Sequence, residues 1–167
     1  MRKKGLIILL VVVFLIPLSA QLKKSSPAKA AQSLVTGLVF EKKLAGSKTI
    51  AVYVLGDKKI EKQLSQYLDQ KVGSATLKTV TGGKKLPSSV PDVLFVSDKG
   101  MLAKAKSYCR KNQILSVTNF PSLVKKGITL GIGIKGGQVQ LMLNPESTKA
   151  EGREWKSAIM KIAKVQN

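Results

Sequence analysis

The side chains that could do chemistry in this chain follow three short apolar runs. Residues 49–55, 93–96 and 114–117 are rich in valine, isoleucine and leucine, which is typical of buried strands. If these strands run parallel, the residues after them meet at one edge of a sheet, where open α/β sheets bind ligands. Two carboxylates, two hydroxyl groups, an amide and an aromatic ring would there surround a small polar ligand. The candidate residues are Asp57, Ser97, Asp98, Thr118, Asn119 and Phe120.

The same side chains have a simpler interpretation. Asp57, Ser97 or Asp98, and Asn119 each stand just before a predicted helix or turn. Short polar side chains in such positions accept hydrogen bonds from free backbone N–H groups. We therefore favour helix capping over ligand binding for these residues, and keep the ligand site as the alternative.

Catalysis and metal binding have little support in this composition. The chain contains no histidine, the commonest general base and metal ligand. Its nine acidic residues are scattered, and no G-x-S-x-G nucleophile turn is present. Residues 131–136 match G-x-G-x-x-G, but the dinucleotide fingerprint needs a helix after its strand, and here a hairpin follows. We predict no catalytic residue, no metal site and no cofactor.

A β-hairpin is predicted near the C-terminal end. Residues 128–135 and 138–143 alternate with period two on either side of Gly136-Gly137, a two-residue turn signal. In the first strand one face is aliphatic, whereas the other carries Gly131 and Gly133. A bare face accepts a closely approaching backbone, helix or ligand. Gly131 and Gly133 are therefore candidates for a binding surface, and packing by a helix of the same chain is the alternative.

Helical stripes alternate with the strands along the chain. Helices are predicted over residues 30–44, 60–73, 98–108, 121–127, 144–151 and 155–162, and a weak edge strand over residues 75–81. This alternation predicts a single α/β domain. Its sheet should be mixed and mostly parallel, with helices on both faces and, on the C-terminal side, a β-hairpin followed by a helix.

The first residues have the pattern of a secretory signal peptide. Basic residues at positions 2–4 precede an uncharged, largely apolar run over residues 5–21 that contains Ser19-Ala20 near its end. We predict a signal peptide over residues 1–20, and an uncleaved membrane anchor is the alternative. The mature protein is then expected in the periplasm.

Domain boundaries follow from this assignment. Residues 21–29 are polar and lysine-rich, which predicts a flexible leader ahead of a folded domain over residues 30–167. Cleavage is expected after Ala20, and Ala30, at the end of an A-x-A triplet, is a second candidate site. Cys109 is the sole cysteine, so no intramolecular disulfide can form, and we interpret it as a buried helix residue.

The charge of the chain is strongly positive. Its 29 basic and 9 acidic residues give a net charge of +20, which becomes +17 once Arg2, Lys3 and Lys4 leave with the signal peptide. Such a charge attracts polyanions, anionic lipid head groups or an acidic partner, and it limits self-association. The lysines are dispersed with few aromatic residues among them, so a solvated surface is expected rather than a specific nucleic-acid site. A homo-oligomer remains an open alternative.

The order of these elements resembles the YfiR-like family. The likeness rests on residues 93–97, the segment 114–127, the hairpin through Leu143-Asn144, the Glu151-Gly152 break and residues 38–44 ahead of the first long strand. It covers about residues 30–165. The resemblance implies an exported α/β protein, as members of the family are. The best-known member represses a membrane-bound diguanylate cyclase by binding its periplasmic part.

Two features depart from that pattern. The known repressor uses disulfides, which this chain cannot form internally. The relatives that this chain most resembles carry an acidic residue, an arginine and an asparagine where Glu41-Lys42-Lys43 stands here.

Two functions of different classes fit these sequence features. The first is an exported, non-enzymatic regulatory or adaptor module that binds the external domain of a membrane signalling protein, such as a diguanylate cyclase or a sensor kinase. The second is a periplasmic protein that binds a small polar ligand at the strand ends. An enzyme ranks third.

Overall fold

The computed structural model describes residues 21–166. The signal peptide expected over residues 1–20 lies outside this range. Within it, none of the helices combines the length and the apolar character needed to cross a membrane.

The described residues form one nine-stranded sheet. The strands are β1 (Lys23–Lys24), β2 (Thr49–Leu55), β3 (Lys71–Val72), β4 (Ala75–Gly83), β5 (Val93–Val96), β6 (Leu115–Thr118), β7 (Leu130–Lys135), β8 (Gln138–Leu143) and β9 (Ala163–Val165). Their order is β3-β4-β2-β5-β6-β7-β8-β9, and β1 pairs with β7. The β4-β2-β5-β6-β7 block and the β8–β9 pair are parallel, whereas β3–β4, β7–β8 and β1–β7 are antiparallel.

Helices cover both faces of this sheet. They are α1 (Pro27–Leu38), α2 (Lys42–Ala45), α3 (Lys58–Ser65), α4 (Leu102–Asn112) and α5 (Pro145–Ala150), with 3-10 turns at Lys99–Met101, Pro121–Leu123 and Ser157–Lys161. Leu34 of α1 and Ile60 of α3 belong to one apolar core, whereas Ala105 and Cys109 of α4 belong to a second core on the opposite face. The predicted α/β fold with a mixed, mostly parallel sheet is confirmed.

The hairpin forms as the sequence predicts. β7 and β8 pair in register from Leu130–Leu143 to Lys135–Gln138. Gly136 and Gly137 form the turn with φ of 56° and 80°, a left-handed conformation that glycine adopts at little cost.

Several elements differ from the sequence prediction. The helix predicted over residues 121–127 is a 3-10 turn at Pro121–Leu123. The strand predicted at the sheet edge is interior, because the turn at Gly73 folds β3 back onto β4. The helix predicted over residues 30–44 is broken at Glu41, whose backbone forms an isolated bridge with Trp155. The predicted last helix does not form: Trp155 at its start pairs with Glu41, and a 3-10 turn and β9 follow.

The segment expected to be a flexible leader is part of the fold. β1 pairs with β7, placing Lys23 opposite Ile134 and Lys24 opposite Gly133. The Ser25 hydroxyl is buried and donates a hydrogen bond to the Ile132 carbonyl at 2.9 Å. The prediction of a flexible leader is wrong because two lysines have no hydrophobic periodicity that would indicate a strand. Their backbone nevertheless pairs with the part of β7 that lies beyond the end of β6.

Candidate functional site

The C-terminal ends of β2, β5 and β6 meet at one edge of the sheet, as the parallel pairing requires. Their close approach depends on Gly56, which has a φ of 93°. A Cβ atom at Gly56 would lie 2.7 Å from Cβ of Asp98, so only glycine fits there without a shift. The strand-end cluster, by which we mean Asp57, Ser97, Asp98, Thr118, Asn119 and Phe120, is built on this edge.

Ser97 links two of the predicted residues across neighbouring strands. Its hydroxyl lies 3.1 Å from Oδ1 of Asn119 and 3.4 Å from Oδ2 of Asp57. Asn119 is fully buried, and Ser97 nearly so. The structure thus places these three predicted residues next to one another.

The polar atoms of this cluster are largely used by the fold itself. Oδ1 of Asp57 accepts hydrogen bonds from the backbone N–H groups of Lys59 and Ile60 and so caps α3. Oδ1 of Asp98 accepts from the Gly100 N–H at 2.8 Å and caps the next 3-10 turn. Capping, the interpretation favoured from sequence, is the role that these two carboxylates have.

Thr118 has a structural role of the same kind. Its hydroxyl donates to the Val96 carbonyl at 2.7 Å and accepts from the Phe120 N–H at 3.1 Å. These bonds join the end of β5 to the turn that follows β6.

The N-terminal segment lies against the strand-end cluster. Nζ of Lys24 lies 4.0 Å from Oδ2 of Asp57 and 4.4 Å from the centroid of the Phe120 ring. The Asn119 amide nitrogen lies 3.5 Å from the Ser25 carbonyl oxygen, at the limit of a hydrogen bond. Lys99 approaches the same ring at 4.6 Å. Sequence reasoning missed Lys24 and Ser25, because a two-residue strand leaves no periodic signal.

The bare face of β7 is covered by this chain. A Cβ atom at Gly131 would lie 2.3 Å from a methyl carbon of Val124. One at Gly133 would lie 2.7 Å from Cγ of Pro121 and 3.0 Å from a methyl carbon of Leu22. The interpretation of these glycines as an open binding surface is therefore corrected: they make room for the turn after β6 and for the N-terminal segment.

A buried polar cluster, missed from sequence, joins β6 to the C-terminal part of the chain. Glu151 is fully buried and accepts hydrogen bonds from the Ser116 N–H (2.9 Å), the Ser116 hydroxyl (2.5 Å) and the Thr129 hydroxyl (2.7 Å). The Ser116 hydroxyl in turn accepts from the Thr129 N–H at 2.9 Å. The sequence pattern indicates Glu151 only as part of a helix break.

Arg153 stands beside a second buried carboxylate. Its Nη1 lies 3.9 Å from Oε2 of Glu41, which is fully buried. Nη2 donates to the carbonyls of Gln113 (2.6 Å) and Asp92 (3.4 Å). This arrangement ties the residues after α5 to the loops that precede β5 and β6.

The described residues contain no group of three histidine, cysteine, aspartate or glutamate side chains that could hold a metal ion.

Comparison with known proteins places the chain in a family. The family model described as YfiR/HmsC-like matches residues 40–164, about three quarters of the sequence. The chain belongs to the YfiR/HmsC-like family. Members of this family are known as periplasmic regulators of signalling proteins, a regulatory rather than a catalytic class.

A solved structure has a fold similar to that of this chain. The chain is similar to the crystal structure of a conserved domain protein from Vibrio cholerae O1 biovar El Tor, with 15% identity and a TM-score of 0.55. The match covers 85% of this chain and 60% of that one, so this chain spans less than two thirds of its neighbour's length. The likeness concerns the fold alone. No curated protein matches the chain in sequence.

The Glu41-Lys42-Lys43 step anchors the C-terminal segment. Oε1 of Glu41 accepts from the Glu154 N–H at 3.1 Å, and its Oε2 accepts from the Leu44 N–H at 2.7 Å. Lys42 forms an ion pair with Glu154, and Lys43 donates to the Gly152 carbonyl. These contacts hold residues 152–154 against the start of α2.

Cys109 lies in the second core, fully buried. Burial raises the pKa of its thiol well above the ordinary value, and the nearby Glu151 carboxylate adds to the effect. Burial likewise raises the pKa of Glu151, although its hydrogen bonds from Ser116 and Thr129 and the charge of Arg153 oppose the change. A thiol held protonated in this way is a poor nucleophile, which supports the packing role predicted from sequence.

Proposed function

We propose that this protein is an exported regulatory or adaptor module that binds the external domain of a membrane signalling protein, such as a diguanylate cyclase or a sensor kinase. Membership of a family of periplasmic regulators is the observation that carries the proposal. The protein acts by binding, without a catalytic step of its own.

The distribution of charge supports an acidic partner. The net charge is +20, or +17 without the basic residues of the expected signal peptide. Glu41 and Glu151 are buried together with Arg153. Two carboxylates but only one guanidinium group are therefore withdrawn from the surface, which becomes more positive. A positive surface accelerates association with a negatively charged domain and is sensitive to salt.

A small polar ligand at the strand ends is the weaker alternative. Ser97 and Asn119 already contact each other, Ser25 lies beside Asn119, and Lys24 lies beside Asp57. A ligand there would have to displace the N-terminal segment and break the β1–β7 pairing. This cost disfavours the strand-end cluster as a ligand site.

The proposal is tested with purified external domains of the membrane signalling proteins from the same organism. Each domain is immobilised and exposed to the mature protein, and retention is compared with that of a lysine-acetylated preparation that has lost its positive charge. We expect at least one acidic domain to retain the native protein but not the acetylated protein. If none of the domains retains the native protein, the proposal is wrong.

A further inference from the structure

Three apolar side chains remain exposed at the β9 end of the sheet. Val139 is 43% exposed, Ile162 50% and Val165 38%. Val139 and Ile162 line a groove of about 360 Å³ between α1 and β8. Its walls are Gln32, Ser33, Thr36, Val139, Leu141 and Ile162. Apolar side chains grouped beside a groove at a sheet edge are typical of an interaction surface.

The outer edge of β9 presents backbone hydrogen-bonding groups beside this groove. β9 is the outermost strand on this side, and no strand among residues 21–166 pairs with its outer edge. The Gln166 N–H donates inward to the Leu143 carbonyl at 2.7 Å. Because backbone groups alternate in direction along a strand, the N–H and C=O of Val165 point outward. An extended segment could pair with them as an added strand.

The charges around this edge favour a partner of opposite sign. Lys161 and Lys164 are exposed and directly precede the apolar residues Ile162 and Val165. A second copy of this chain would bring the same lysines together, and lysine on an edge strand opposes self-pairing. An acidic segment would instead be attracted to both.

We propose that the outer edge of β9 and the adjoining groove form a docking surface for an extended, acidic and apolar segment of a partner protein. The segment adds a strand beside β9, places apolar side chains against Val139 and Ile162, and places carboxylates near Lys161 and Lys164. This inference rests on the proposed function and deepens it by locating the contact.

A synthetic peptide tests the surface without knowledge of the partner. The probe is a fluorescein-labelled peptide that alternates Asp or Glu with Val or Ile, and a second peptide has Lys in place of each acid. Binding to the mature protein is measured by fluorescence anisotropy at low salt. We expect saturable binding of the acidic peptide and none of the basic one.

Variants then assign the binding to this edge. Ile162→Ser removes an apolar contact without changing charge, and its control is Leu68→Ser, a residue of similar exposure (39%) outside this groove. Val165→Pro removes the outward N–H, and Val165→Thr controls for the altered side chain. Ile162→Ser and Val165→Pro should each weaken peptide binding by about tenfold or more, and Leu68→Ser and Val165→Thr by far less. Thermal melting verifies that all four variants fold.

Two results would overturn the docking surface. One is failure of the acidic peptide to bind the wild-type protein, and the other is equal binding by all four variants.

The docking surface and the proposed function can be disproved independently of each other. If an external domain binds Ile162→Ser and Val165→Pro as tightly as wild type, the surface is wrong and the function stands. If the peptide binds as expected but no external domain does, the surface stands and the function is wrong.

Discussion

Lys24 lies directly opposite Gly133 where β1 pairs with β7. A residue just after the expected signal peptide therefore occupies a fixed place in the sheet. Ser25 and the fully buried Ala30 follow it closely. Cleavage after Ala30 would remove β1, the Ser26 cap of α1 and the first helical residues. We predict a mature chain that begins at Gln21.

Intact-mass measurement of the exported protein tests this start site. A matched pair of recombinant chains, beginning at residue 21 or residue 31, provides the control. The shorter chain should melt at a lower temperature, because it lacks the β1–β7 hydrogen bonds and the packing of Leu22. A natural chain that begins at Ala31 would contradict the prediction.

Gly131→Val and Gly133→Val should both destabilise the protein. The added side chains meet Val124 at Gly131 and Pro121 at Gly133, at distances far shorter than van der Waals contact. Overpacking of this kind costs about 1–3 kcal/mol per site. Gly37→Ala in α1 is the control, because its Cβ would meet Leu130 at an ordinary 3.8 Å. Chemical denaturation measures all three free energies of unfolding, and valine variants as stable as wild type would contradict the structure.

The fold and its site could be predicted from sequence to different extents. β2, β5 and the hairpin were predictable because apolar runs and a Gly-Gly turn are local signals. The edge that unites Asp57, Ser97 and Asn119 followed from assuming parallel strands. β1 was not predictable, because its own residues show no strand pattern. It pairs with β7 only where the short strand β6 leaves the edge of β7 free.

The buried carboxylates were missed for a related reason. An exposed position is the natural expectation for a glutamate such as Glu41 or Glu151. Their partners, Arg153 for Glu41 and Ser116 for Glu151, are 112 and 35 positions away. Contacts at such separation leave no local signal. The last helix was also mispredicted, and its first residue, Trp155, forms a bridge with Glu41, which is again far away in the sequence.

Glu151→Gln should change how stability depends on pH. Burial raises the pKa of Glu151 in the folded state above its ordinary value of 4.5. A group with a raised folded pKa contributes stability that is complete below its unfolded pKa and is lost as pH rises through the folded pKa. Glutamine keeps the shape but cannot ionise, so it should gain stability relative to wild type as pH rises above about 4.5. Melting curves of both proteins between about pH 4 and pH 8 measure this difference, and parallel pH profiles would contradict it.

Cys109 should be inert and replaceable. Cys109→Ala should cost no more than about 2 kcal/mol, the scale of one small buried side chain. Because the thiol is buried and its pKa is raised, a thiol reagent should label the native protein very slowly at pH 8 and the unfolded protein fast. Fast labelling of the native protein, or a mutant that fails to fold, would show that Cys109 has another role.

The central claim is that this positively charged protein binds the external domain of a membrane signalling protein. Titration calorimetry of the mature protein with the domain retained in the binding screen tests it most directly, at about 0.1 M and about 1 M salt. We predict saturable binding that weakens by about tenfold or more at the higher salt concentration, because screening removes the attraction of the lysine-rich surface. Absence of binding at the lower salt concentration, or an affinity that does not change with salt, would contradict the account.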